Sequence, residues 1–135
     1  MFKPDYVVFV TQRTHRIDLT CAEAKAPGNT ATFPRSDLVK LGQEMRWMLN
    51  RLVTEGVHWP VVGGILIRGF NMTIYKMQVT NPGTYAMVEL SSISLFKTMN
   101  ELTSVPVIVA NMIQLKVRCY CGFWNILEYS ICLHD

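Results

Sequence analysis

An α/β domain, a mixed β-sheet flanked by helices, is the fold class this sequence predicts, and three observations carry that expectation. The recognisable elements run strand, strand, helix, three strands and then helices. One segment near the middle has a clear helical apolar period, and the segments around it are rich in β-branched and aromatic residues. Half of the 135 residues are hydrophobic. A chain of this length buries roughly two-thirds of its unfolded surface, so one core forms without staples.

The elements follow in order. Tyr6 to Val10 reads as a strand, Gln12 to Arg16 as a polar turn, and Ile17 to Lys25 as the second arm of a hairpin. Ala26 to Arg35, with Pro27, Gly28, Asn29 and Pro34, is a loop. Ser36 is the expected N-cap of a helix, with Asp37 in the first turn, where negative charge is favoured. Leu38, Leu41, Met45, Met48, Leu49 and Leu52 recur at helical spacing, and Gly56 is a suitable stop. The opposite, solvated face is expected to carry Lys40, Gln43, Glu44, Asn50 and Arg51, while the methionines and Trp47 fill the core. Val61 to Ile67, Thr73 to Val79 and Tyr85 to Leu90 are strands whose short connections imply antiparallel neighbours. Ser94 to Glu101 and Val107 to Lys116 are expected helices. From Val117 the chain has no clear period, which divides it into a domain over 1–116 and a tail over 117–135.

Composition narrows the setting. The net charge of +3 is mildly basic and permits a phosphate-bearing partner. Cys21, Cys119, Cys121 and Cys132 are not spaced as a secreted disulfide framework, so an intracellular protein of nucleus or cytoplasm is expected. No secretory signal is visible, and the apolar runs fall far short of the ~20 residues that cross a bilayer, so no membrane partner is expected. Cys119, Cys121, Cys132 and His134 could supply four zinc ligands, but Cys-x-Cys and Cys-x-His spacings differ from the usual two-residue-gap knuckle. Thiols of a buried or irregular tail are the expectation there.

The chemistry lies in the hairpin. With its loop centred on Thr14, residues whose numbers sum to 28 face each other, pairing Val7 with Cys21, Phe9 with Leu19 and Thr11 with Ile17. Opposed residues share a face, so this apolar face runs out into Asp5, Glu23 and Lys25 at one end. A one-residue slip would separate the carboxylates. Two carboxylates whose Cβ atoms lie ~5 Å apart favour a cation between them. Mg²⁺ or Mn²⁺ suits such oxygen ligands, and an amine beside it would neutralise charge developing on a phosphate.

Pro4-Asp5, followed after a hairpin by Glu23-Ala24-Lys25, resembles the motif of the PD-(D/E)XK nuclease superfamily. The resemblance covers roughly residues 3 to 116. It implies that Asp5 and Glu23 hold the metal, that Lys25 assists catalysis, and that Lys40 and Gln43 on the following helix contact nucleic acid. More narrowly, Lys3-Pro4-Asp5-Tyr6, Glu23-Ala24-Lys25-Ala26-Pro27 and Asp37-Leu38-Val39-Lys40 are similar to nuclease-like proteins multiplied in early-diverging fungal genomes, which implies a link to mobile elements. The family core opens with a helix and a strand ahead of the Pro-Asp strand. This sequence is therefore expected to form a restriction-endonuclease-like core lacking its first helix and strand, those elements coming from another subunit, being dispensable, or having been lost. A nuclease acting on DNA, or RNA, is the implied function, with a homo-oligomer among the implied partners. The alternative is a catalytically silent, nuclease-derived module or a decayed mobile-element fragment. Arg13 and Arg16, flanking His15 in the hairpin loop, are further candidates for phosphate contact.

Overall fold

Strand order follows chain order across a single five-stranded sheet, β1-β2-β3-β4-β5. The computed structural model describes residues 3–12, 14–28 and 34–131. Strands β1 (Tyr6–Gln12) and β2 (His15–Lys25) form the antiparallel hairpin. Helix α1 (Pro34–Thr54) then crosses over to β3 (Val61–Arg68), which lies parallel to β2. Parallel neighbours need such a crossover, because a tight turn cannot reverse direction twice. Strands β4 (Asn71–Asn81) and β5 (Thr84–Ser94) complete an antiparallel meander. A short 3₁₀ segment (Met99–Ser104) leads into α2 (Val105–Ile131). The architecture is thus α/β, with one mixed sheet and a helix on either face.

Alternation along the strands sends neighbouring residues to opposite helices. Ile17, Leu19 and Cys21 of β2 and Val62 and Leu66 of β3 pack with Leu41, Met45, Met48, Leu49 and Leu52 of α1. Ala22, Ile65, Met72 and Ile74 pack with Leu115 and Cys119 of α2. Gly63 and Gly64 of β3 admit both helices. A Cβ on Gly63 would meet Thr20 Oγ1 at 2.7 Å and Leu115 Cδ1 at 2.9 Å, and one on Gly64 would overlap Met45 Sδ.

Turn chemistry explains the connections. Gly69, at φ 57°, opens the two-residue β3–β4 turn, and Gly83, at φ 76°, follows Pro82 in the β4–β5 turn. At the end of α1, the Gly56 N–H bonds to Val53 O and the Val57 N–H to Leu52 O, both at 3.0 Å. With Gly56 at φ 83°, this is a Schellman cap, and Val57 and Leu52 join the same core cluster.

Several expectations need correction. The hairpin register sums to 28 only from Tyr6 to Val8; a bulge then shifts it, pairing Phe9 with Asp18 and Thr11 with Arg16. Leu19 is the extra residue, so Val10 rather than Phe9 packs on the core, and Phe9 lies half-exposed beneath Arg16. Helix α1 begins at Pro34, two residues before the expected cap at Ser36; proline suits a first helical position, where no N–H is needed. Trp47 is half-exposed with Arg51 over its ring, not core. Ser94 ends a strand instead of starting a helix. The segment from Val117 continues α2 as far as Ile131, while Cys132 and His134 lie outside the described residues.

Candidate functional site

Glu23 is the centre of the site because of where β2 carries it. It follows Cys21 by two positions on the face that α1 covers, and its side chain is 0% exposed. A carboxylate there requires a partner, and α1 supplies one. Lys40 Nζ donates to Glu23 Oε1 at 2.6 Å, a short charge-assisted bond. One helical turn on, Glu44 lies on the same side, 2% exposed, with Oε1 3.9 Å from the Lys40 ammonium. Among the described residues no N–H or hydroxyl donor other than Lys40 reaches these two carboxyl groups, which face each other.

Asp5, exposed in the bend just ahead of β1, flanks this pair. Its N–H donates to Ala22 O at 3.1 Å, and its Oδ2 accepts the Ala24 N–H at 2.8 Å. The paired ladder begins only at Tyr6, opposite Ala22, so Asp5 is an exposed bend residue held to β2 by those two bonds and is not paired with Glu23. The electrostatics reflect the convergence. Burial, then the Glu23 carboxylate, push Glu44 up to about 7, with a hydrogen bond to Glu23 and the charge of Asp5 adding to the rise and Lys40 opposing it. The Lys40 ammonium is held above its usual range by its hydrogen bond to Glu23 and by the charges of Glu23, Glu44 and Asp5, against the opposing effect of burial.

The amine bonded to Glu23 is therefore that of Lys40. Lys25 sits two residues beyond Glu23 at the end of β2, half-exposed, in register with Arg68 of β3. Glu44, expected on the solvated face, is buried in the site. Its signal was present in the sequence: at 100° per residue, Asp37 and Glu44 fall on the border of the Leu41–Met48 stripe, beside Lys40. Asp37 is buried likewise and accepts from Arg68 Nη2 at 3.2 Å.

No family model, curated protein or solved structure matches this chain.

Other candidate residues are not brought to the carboxylates. Gln43 is exposed on α1, and Arg16 lies at the far end of the hairpin, bonded to Asp18 at 2.7 Å and stacked on Phe9. Arg13 lies outside the described residues. Cys119 is a core thiol 3.9 Å from Thr20 Oγ1; burial pushes it up to about 11, and the same effect takes Cys21 to about 12. Among the described residues, no group of three or more His, Cys, Asp or Glu side chains is arranged to hold a metal ion. What the site offers a cation is the buried carboxyl groups of Glu23 and Glu44 beside the exposed one of Asp5, all oxygen donors, with the Lys40 ammonium already against the first two. That donor set suits a hard, water-carrying ion such as Mg²⁺ or Mn²⁺, which binds through one or two carboxylates.

Proposed function

We propose that this chain is a metal-dependent nuclease-like domain that hydrolyses phosphodiester bonds of DNA, on a restriction-endonuclease-like core. One observation carries the reading: Glu23, fully buried near a strand end, with one oxygen on a lysine and a second buried acid against its carboxyl group. The β2–α1–β3 crossover supports it, because it sets the carboxylate strand against the helix that bears the amine.

Asp5 and Glu23 would hold Mg²⁺ or Mn²⁺, which supplies Lewis acidity toward a phosphoryl oxygen and a more acidic bound water. In hydrolysis the water oxygen bonds to phosphorus, a bridging P–O bond breaks, and the leaving oxygen takes a proton. Lys40 stays cationic throughout, since its neighbours raise its pKa, and it offers positive charge where the phosphate gains negative charge. Lys25, beyond Glu23 on the same strand, would meet a flanking phosphate.

The test is Mn²⁺-dependent nicking of supercoiled plasmid. Wild type should nick, Asp5→Ala and Lys40→Ala should lose roughly 10²-fold or more, and Lys25→Ala should lose less. A second reading has its own support: the Lys40 ammonium already stands between Glu23 and Glu44. A silent nucleic-acid-binding module would nick under no condition, and Asp5→Ala would keep or tighten its DNA binding.

A further inference from the structure

Beside the carboxylates, on the same face of the sheet, lies a groove of about 470 Å³ that the catalytic reading leaves unused. Such a volume falls within the roughly 300–1,000 Å³ of small-molecule sites. The strand register fixes its position. Glu23 pairs with Leu66 and Lys25 with Arg68; Leu66 pairs in turn with Thr73, and Thr73 with Ser92. Paired residues share a face, so a row of side chains runs from Glu23 through Leu66 and Thr73 to Ser92, in steps of about 4.8 Å. Leu38 of α1 closes one side.

The chemistry of the lining selects its occupant. Asn71, Thr73, Tyr75 and Ser92 line it with an amide and three hydroxyls, groups that both donate and accept; Thr73 and Ser92 bond each other at 3.5 Å and Asn71 Oδ1 accepts from Ser94 at 3.4 Å, so each keeps further capacity toward the groove. Burial, reinforced by the Glu89 carboxylate, pushes the Tyr75 phenol upward, so it remains a donor. Among the described residues of the lining, Arg68 is the one cation, and it is bonded to Asp37. A duplex backbone would call for a row of lysines and arginines. Neutral donors and acceptors around an aromatic ring and a leucine floor suit the edge and face of an unpaired base.

We propose that this groove binds the base of an unpaired nucleotide next to the scissile phosphate, so that the substrate is single-stranded or frayed nucleic acid rather than intact duplex. This rests on the nuclease reading for its neighbouring phosphate. The probe is a fluorescein-labelled single-stranded deoxyoligonucleotide, and its duplex form, measured by anisotropy with Ca²⁺ in place of Mn²⁺. Wild type should bind the single strand at least 10-fold more tightly than the duplex. Tyr75→Ala, which removes the ring, and Ser92→Leu, an exposed position that fills the groove, should each weaken single-strand binding roughly 10-fold. Equal affinity for both forms, or unchanged binding by both variants, overturns the proposal. Plasmid nicking by wild type and Asp5→Ala, run in parallel, separates the two readings. If nothing nicks but the groove variants lose the oligonucleotide, the groove stands and the nuclease reading falls. If wild type nicks and the groove variants bind normally, the reverse holds.

Discussion

Glu44 is the residue whose behaviour is most sharply set by its surroundings. Burial and the adjacent Glu23 carboxylate lift it from an ordinary value near 4.5 to about 7. The folded protein therefore keeps a proton that the unfolded chain has released. Stability from this group is full below about pH 4.5 and is lost as pH rises through about 7. Glu44→Gln removes that dependence, so its Tm should change less than that of wild type between pH 5 and pH 8, on the order of the window set by the shift, and should exceed wild type at the alkaline end. Thermal melts across that range check it. Lys40 presents the opposite case. Lys40→Met leaves Glu23 buried without its counter-charge and should cost about 1–3 kcal/mol in urea unfolding, reduced from a fully buried pair because Lys40 is partly solvated. Both effects come from side chains that a helical wheel sets on the border of the apolar stripe, where sequence alone does not decide between solvent and core.

At the level of elements, the closest packing is where β3 passes between the two helices. Gly63→Ala would drive a methyl into Thr20 and Leu115, a γ-oxygen and a branched core side chain with little room to yield, and should cost about 1–3 kcal/mol. Gly56→Ala, at φ 83° in the α1 cap, should cost about 1 kcal/mol with no effect on the site. Denaturant midpoints of the two variants test these values. The elements themselves were largely legible: β-branched runs bounded by Gly, Pro and Asn marked the strands, and the apolar period from Leu38 to Leu52 marked α1. Two features were not. The bulge opposite Val8 and Phe9 has no glycine to announce it, so alternation beyond it was assigned to the wrong face of β1. The helix beyond Val117 is apolar on several sides, which erases the period by which helices are recognised.

For the whole molecule, the order of elements was enough to predict a mixed sheet with flanking helices, and the site emerges only from their assembly. Asp5 comes from the bend ahead of β1, Glu23 from β2, and Lys40 and Glu44 from the crossover helix, so no short segment contains the cluster. That is why a motif read along β1 and β2 names Lys25, while the amine on Glu23 is Lys40 from α1. Among the described residues, no helix is long and apolar enough to cross a membrane. Exposed apolar side chains instead lie at Tyr6 and Val8 on β1 and along α2 at Val109, Ile113 and Val117. Metal-dependent hydrolysis requires the carboxylates to form a cation site, and calorimetric titration with Mn²⁺ near pH 8 measures this most directly. One binding event in wild type, abolished or weakened at least 10-fold in Asp5→Asn, is the predicted result; no heat of binding in wild type, or equal binding by the variant, would contradict it.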